Sequence, residues 1–298
     1  MSTEKARFAH NPEKIALLTD SCADLSEKQR KGKPIFVVPL KIRCEDGEFS
    51  DGVDIFAADI YKRQKAGEMP HTSLPDGGSV KRILDEIAAQ GYEKVLAIHL
   101  SAGLSGTYNL MRLQGQERTD LDVRVFDSQS GSLGIGSTLL QVAEDIRNGM
   151  RWEELLNVRV PHLLENTVPF FSVDTLEYLQ KGGRIGKIPA VAGTMLNIKP
   201  IIGFSADGQL SSVAKVRGRK AVQPKIVELL GRYSVGHRRY NLAVANGGAP
   251  EEMAELAKRS SLLSRITNIS GKAKLTQPSA VILVTGFWER ASSFWTEW

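Results

Sequence analysis

The sequence predicts an α/β fold, and three observations carry that expectation. Short apolar runs at residues 15–18, 35–40, 95–100 and 123–126 read as strands. Between them, apolar residues recur at helical spacing: Val80, Ile83, Leu84, Ile87 and Ala88 form one helix face, and Leu139, Val142, Ala143 and Ile146 form another. Strands that alternate with helices need crossover connections, which give a largely parallel sheet. Pro39 marks the second strand as an edge or a strand end. Gly91 and Gly149 fall where helix C-terminal caps belong.

The second half has a different texture. Strands are expected at 170–173 and 198–204, with a short helical stretch at 176–181 closed by Gly182-Gly183. Ala206-Asp-Gly-Gln209 is a turn signal between two apolar runs and predicts a hairpin. Helices at 222–230 and 251–263 flank a strand at 241–245. A chain of 298 residues suits two domains, an N-terminal α/β domain over 1–160 and a C-terminal α+β domain over 161–298.

Composition narrows the function classes. With 42% hydrophobic and 24% charged residues, the chain is neither disordered nor collagen-like. The 39 Lys and Arg against 34 Asp and Glu leave a net charge of +5, a mild excess for a nucleic-acid binder. The excess concentrates in Lys215, Arg217, Arg219, Lys220, Lys225, Arg232, Arg238 and Arg239, with Glu228 the one acid among them. A solvated face, a docking surface for an acidic protein and a nucleic-acid site are the three readings of that segment. Two cysteines, Cys22 and Cys44, are too few for a disulfide framework and point to a reducing compartment. The start is polar, without a signal-peptide core, and no run of about 18 apolar residues exists, so a cytoplasmic protein with no integral membrane segment is expected.

In open parallel sheets, ligands bind beyond the carboxyl ends of the strands. Three of the four strands end there in small polar residues: Thr19-Asp20-Ser21, Ser101 and Asp127-Ser128. Each is either a cap and turn former or part of a binding crevice. Ser101-Ala-Gly-Leu-Ser-Gly-Thr-Tyr108 follows a strand and opens a helix, so backbone N–H groups, the hydroxyls of Ser105 and Thr107 and the bare backbone of Gly106 would suit a carboxylate or phosphate; a capped helix start without a ligand is the alternative. Thr72-Ser-Leu-Pro75 places hydroxyls before another helix start, or is simply a capped loop. Gly182-Gly-Arg-Ile-Gly-Lys187 approaches a P-loop without matching it, since three residues rather than four precede Gly-Lys and Ile188 follows. Its glycines suit a helix end, and Arg184 could reach an anion or a surface carboxylate. Gly134-Ile-Gly136 lacks the third glycine of a dinucleotide fingerprint. There is no G-x-S-x-G elbow, no H-E-x-x-H and no paired-cysteine motif, so neither a common hydrolase nor a metal site is supported. Of the five histidines, His71 could hydrogen-bond a ligand or a loop carbonyl, and His99, inside a strand, reads as a satisfied core residue. Hydroxyl donors without an evident base favour binding over catalysis.

Taken together the motifs resemble the DegV family of fatty-acid-binding proteins. The matching stretches run in the family's order: Thr19-Asp-Ser-Cys-Ala-Asp-Leu25, Thr72-Ser-Leu-Pro75, Ser101 to Tyr108, Phe126-Asp-Ser128, Val173-Asp-Thr-Leu-Glu-Tyr-Leu-Gln-Lys-Gly-Gly-Arg-Ile185, Leu196-Asn-Ile-Lys-Pro200 and Lys215-Val-Arg217. The resemblance implies the two-domain DegV-like (EDD) fold: an N-terminal, mainly parallel Rossmann-like sheet with flanking helices and a C-terminal α+β domain. It implies a long-chain fatty acid as ligand and no cofactor, with the carboxylate held by Thr72, Ser73 and Ser105 and by backbone N–H groups near Gly106. It also implies a partner, a fatty acid kinase that phosphorylates the bound acyl head, with Arg184 near the head group or partner face and Arg217 as a candidate partner contact. The C-terminus departs from the family. Val281-Ile-Leu-Val-Thr-Gly-Phe-Trp-Glu-Arg290 lacks the family's histidine loop, for which His71 is the candidate replacement. The competing expectation is an enzyme acting on a small phosphorylated or carboxylated metabolite in the same crevice.

Overall fold

The computed structural model describes residues 8–189, 197–234, 240–246, 250–261, 267–274 and 281–287. The first half runs β1 (Ile15–Asp20), α1 (Glu27–Arg30), β2 (Ile35–Val38), β3 (Lys41–Cys44), β4 (Gly47–Ser50), α2 (Ala57–Lys65), β5 (His71–Ser73), α3 (Gly77–Ala89), β6 (Lys94–His99), α4 (Thr107–Gln116), β7 (Asp122–Asp127) and α5 (Leu133–Arg147). The second half runs α6 (Trp152–Glu154), a π-helical turn (Leu155–Arg159), α7 (Val160–Glu165), β8 (Thr167–Ser172), α8 (Glu177–Lys181), β9 (Ile198–Phe204), β10 (Leu210–Arg217), α9 (Val222–Ser234), β11 (Tyr240–Asn246), α10 (Pro250–Ser261), β12 (Thr267–Lys274) and β13 (Val281–Phe287).

The four strands expected from the first half form one parallel sheet in the order β2-β1-β6-β7. All six residues of β1 are buried, as a central strand covered on both faces requires. Ile15 and Leu17 face α5, and Ala16 and Leu18 face α3. β2 is an edge strand and stops at Val38, one residue before Pro39, which has no N–H for the ladder. Register aligns Asp20 with Val38 and His99 with Asp127, so the carboxyl ends of the strands lie in one row. Gly91 and Gly149 take φ of +83° and +85° directly after helix C-caps, as expected.

α5 joins the two halves. Twelve of its fifteen residues are buried, so it is a core helix packed all round rather than the one-faced helix the spacing suggests. Leu139, Val142 and Ile146 pack with β1 and β6, while Leu133 packs with Phe171 and Ala243 of the second sheet. Gly136 lies against the Ala23 carbonyl: a Cβ there would come within 2.5 Å of that oxygen, so the Gly134-Ile-Gly136 pair serves close helix packing. Buried Asp145 is held by Arg159 Nε at 2.7 Å and by Gln141 Nε2 at 2.7 Å, which fixes α5 to the π-helical turn.

The second sheet has six strands in the order β10-β9-β8-β13-β11-β12 and is antiparallel except for the β11–β12 pair. The predicted hairpin is β9–β10, turning through residues 205–209. β13, within the stretch that departs from the family, is a central strand between β8 and β11. Trp288 to Trp298, the rest of that departure, lies outside the described residues.

A third, small sheet was not expected from the sequence. β3 pairs antiparallel with both β4 and β5. Its strands are only three or four residues long, too short for a clear alternation signal, although Ile42 and Cys44 point inward and Arg43 outward. Here one expectation is corrected: Thr72 and Ser73 belong to β5 and do not stand at a helix start. The cap of α3 is Asp76, whose carboxylate accepts from the Ser79 hydroxyl at 2.6 Å and from the Ser79 N–H at 2.7 Å, bonds that hold its pKa down at about 2.

The turn after β1 carries a protonation effect. Asp24 sits at φ +51° and accepts from Ser132 Oγ at 2.5 Å, linking that turn to the start of α5. Desolvation pushes the Asp24 carboxyl up to about 8, against the lowering effect of the Ser132 bond, with Asp51 and Asp20 adding to the rise. The folded chain therefore keeps a proton that the unfolded chain loses near pH 4, and stability falls as pH rises between those values, by up to about 1.4 kcal/mol per unit. Asp24→Asn should flatten this slope and stabilise the protein at pH 8. Urea denaturation from pH 5 to 9 would check it, and an unchanged slope would contradict it.

Candidate functional site

A cavity of about 470 Å³ opens where the small sheet, the loop after β6 and the end of α8 meet. This is within the range of about 300–1,000 Å³ common for small-molecule sites. Much of its interior wall is apolar and buried: Leu40 just before β3, Ile42 on β3, Ile60 from α2, Leu179 from α8 and Leu210 from β10, with Cys22, Asp51 and Gln64 also on the lining. Its rim is polar and exposed: His71, Thr72 and Ser73 on β5, and Arg184 beyond α8. Ser105, half-buried, joins them from the loop before α4.

The structure thus brings together five of the seven residues singled out in the sequence: His71, Thr72, Ser73, Ser105 and Arg184. Each is placed by a specific local cause. Ile42 pairs with Thr72 and Lys41 with Ser73, so β3 sets the two hydroxyl-bearing residues at the cavity edge. Ser105 Oγ lies 2.9 Å from Thr107 Oγ1 and accepts weakly from the Thr107 N–H at 3.3 Å, which orients it at the start of α4. Arg184 Nη1 donates to the Gly182 carbonyl at 2.6 Å and Nε to the Leu104 carbonyl at 3.3 Å, tying the end of α8 to the loop before α4. These bonds use two of the five guanidinium N–H groups.

Gly106 and Arg217 fall elsewhere. Gly106 is the N-cap of α4 and lies behind the cavity wall, where an added Cβ would meet Leu74 at 3.4 Å. Its φ of −75° asks for no glycine, so its value is the backbone N–H run of the helix start. Arg217 ends β10, exposed and outside the cavity lining. Elsewhere in the basic segment, Arg219 Nη2 meets Glu252 at 2.7 Å, Lys225 meets Glu228 at 2.9 Å, and Arg232 also pairs with Glu228. Arg238 and Arg239 lie outside the described residues.

Sequence reasoning missed what holds the rim in place. The β9–β10 turn docks on the loops after β6 and β7: Ser101 Oγ, after β6, donates to the Gly208 carbonyl at 2.7 Å, and Gln129 Nε2, after β7, donates to the Ala206 carbonyl at 3.0 Å. The approach is so close that a Cβ on Gly103 would lie 2.6 Å from Gly208 C, and one on Gly208 would lie 2.1 Å from Ser101 Oγ. Gly186, at φ +59°, presses on the Leu210 carbonyl in the same way, with 2.4 Å for a Cβ. So the near-P-loop glycines serve a helix end and a backbone contact. The turn itself is braced by Lys187 and Ser205, both 2.6 Å from the Asp207 carboxylate, which hold its pKa down at about 2.

Beside the cavity lies a buried polar group. His99 Nδ1 is 3.0 Å from Asp20 Oδ2, and that carboxylate also accepts from the Leu100 and Cys22 N–H groups. Both side chains are fully buried, yet His99 Nε2 has no partner, so His99 is only half satisfied. Elsewhere, Cys44, Asp46 and Glu68 lie close enough to share a cation, but the Arg63 guanidinium already bridges Asp46 at 2.7 Å and Glu68 at 3.0 Å. Both cysteines are free thiols. Among the described residues no helix is long and apolar enough to cross a membrane. A second cavity, of about 560 Å³, lies on the opposite face of α8 and is lined by Asp174, Glu177, Lys181 and Lys199 among others.

The family model described as "Uncharacterised protein, DegV family" matches residues 14–286. A DegV domain-containing protein of Clostridium acetobutylicum is 34% identical over 258 residues, covering 87% of this chain and 91% of the relative. One of Clostridium perfringens is 36% identical over 240 residues, covering 80% and 84%. Among solved structures, a DegV family protein from Thermus thermophilus, described for its fatty acid binding, superposes with a TM-score of 0.86 at 28% identity, covering 92% of this chain and all of that one. DegV of Bacillus subtilis, described as a fatty acid binding protein, gives 0.83 at 27% identity, with 92% and 99% covered. With the model spanning nearly the whole α/β architecture, and relatives above 30% identity along most of their length, the chain belongs to the DegV family.

Proposed function

We propose that this protein binds a long-chain fatty acid in the 470 Å³ cavity, its carboxylate at the rim and its chain among the buried apolar walls. The observation that carries the reading is the division of that cavity. Hydroxyls of Thr72, Ser73 and Ser105, with Arg184 beside them, stand at an exposed edge, and Leu40, Ile42, Ile60, Leu179 and Leu210 line the interior. A carboxylate suits the first set: hydroxyl and guanidinium donors make charge-assisted hydrogen bonds, and the α4 N-terminus beside Ser105 adds partial positive charge. A methylene chain suits the second, each buried CH₂ contributing roughly 0.8 kcal/mol. The fatty acid binding described for the Thermus and Bacillus relatives supports the same ligand here.

The finer reading is that of a carrier rather than an enzyme: the protein presents the acyl head to a fatty acid kinase. Its support is the exposure of the rim, which leaves the carboxylate open to a second protein, and Arg217, exposed on β10 as a charged contact. A division of the chain into a head-group half, 1–160, and a covering half, 161–298, agrees with walls drawn from both.

Two outcomes test this. Organic extraction of the purified protein, read by mass spectrometry, should release about one equivalent of fatty acid; an extract that instead yields a small polar metabolite would contradict the acyl reading. The double variant Thr72→Ala, Ser105→Ala should weaken binding in competition with a fluorescent fatty acid. Each lost hydrogen bond to the charged head is worth about 1.5–3 kcal/mol, roughly tenfold to a hundredfold in Kd. Unchanged affinity would remove these residues from the head-group site.

A further inference from the structure

The cleft of about 560 Å³ on the opposite face of α8 takes no part in the acyl cavity, and neither do two stretches singled out in the sequence, 197–200 and 215–217. The fold brings all three together. Ile198, Lys199 and Pro200 of β9 line the cleft, with Val173, Leu176 and Ile185 beside them. Register sets Lys215 of β10 opposite Pro200 and Arg217 opposite Ile198. Directly opposite residues of an antiparallel pair share a face, so both cations stand on the face of the sheet that floors the cleft. The Gly218 N–H donates to the Asn197 carbonyl at 2.7 Å and ties the end of β10 to the cleft wall.

The charges at this cleft do not balance. Its lining carries two carboxylates, and each already has a cation: Glu177 meets Lys181 at 2.6 Å, and Asp174 meets Arg219 at 3.1 Å. Arg219 is shared with Glu252. Among the described residues, Lys199, Lys215 and Arg217 meet no carboxylate. Lys199 Nζ donates to the neutral Asp174 carbonyl at 2.7 Å, which draws the ammonium to the cleft and leaves two of its three hydrogens to give. Thr175 Oγ1 accepts from the Glu177 N–H at 3.1 Å and keeps its own O–H as a donor. A concave surface with an excess of one sign of charge concentrates ions of the other sign.

We propose that this cleft binds a small phosphorylated organic molecule of nucleotide size, with its phosphate at Lys199, Lys215 and Arg217 and its body over Val173, Ile185 and Ile198. Ammonium and guanidinium groups around one mouth suit phosphate oxygens. The apolar floor gives an organic body something to cover, which a bare inorganic ion would not use, and Gln180 and Asn197 add amides that both donate and accept. The volume is that of a small-molecule site. The site lies across α8 from the acyl cavity, and the proposal does not depend on the acyl reading.

The test is titration calorimetry with ADP as the probe, beside pyrophosphate and adenosine, which each carry one half of it. ADP should bind one to one, and each half about tenfold more weakly or worse. Lys199→Gln with Lys215→Gln should weaken ADP about tenfold or more, the worth of a charge-assisted hydrogen bond, and Lys199→Arg with Lys215→Arg should restore it. Lys28→Gln with Lys31→Gln, which removes the same charge from around α1, should leave ADP affinity unchanged. The variants keep Arg217, so a lost partner contact does not enter the result, and competition with a fluorescent fatty acid should be unaffected throughout. No saturable ADP binding, pyrophosphate binding as tightly as ADP, or an equal loss in the α1 control would overturn the proposal and leave fatty acid binding intact.

Discussion

The site depends on one backbone contact, the seating of the β9–β10 turn on the loop after β6. Ser101 Oγ reaches the Gly208 carbonyl at 2.7 Å, and Gly103 and Gly208 approach so closely that neither has room for a Cβ. This joins the second sheet to the carboxyl end of the first, where a parallel sheet offers its crevice. Ser105, four residues after Ser101, and Leu210, two after Gly208, are thereby held on facing walls of one cavity. Arg184 reinforces the arrangement by bonding the Leu104 carbonyl from the other side. The small sheet then closes the rim with Thr72 and Ser73.

Much of the first sheet was legible because its physics is local. Four apolar runs with helical spacing between them define β1, β2, β6 and β7, and Pro39 marks the edge where β2 stops. The β9–β10 hairpin was legible for the same reason, since Asp207-Gly208 is a turn signal in itself. The small sheet was not, because three- and four-residue strands carry too little periodicity, and so Thr72 and Ser73 read as loop hydroxyls just before a helix start when they lie in β5 and the helix is capped by Asp76. α5 read as one-faced because spacing reveals one stripe, whereas its burial is decided by a second sheet distant in sequence.

The site was legible in part. The hydroxyl and glycine motifs named Thr72, Ser73, Ser105 and Arg184, and the fold brings these to one cavity. Gly106 and Arg217, drawn from the same motifs, lie off its lining. Gln64, Asp51 and Cys22 had no signal as lining residues, because a side chain on a wall between segments is defined by tertiary packing alone. The same packing, chiefly by desolvation, raises the pKa values of Asp24, Asp51 and Cys22.

The central claim is that one ligand joins the polar rim to the apolar interior of this cavity. A crystal structure of the protein with its bound acid tests this most directly. The account predicts the carboxylate within hydrogen-bond distance of Ser105 Oγ and of the Thr72 or Ser73 hydroxyl, with the chain running between Ile60 and Leu179. A ligand found instead in the 560 Å³ cleft beside Asp174 and Lys199, on the other face of α8, would contradict it.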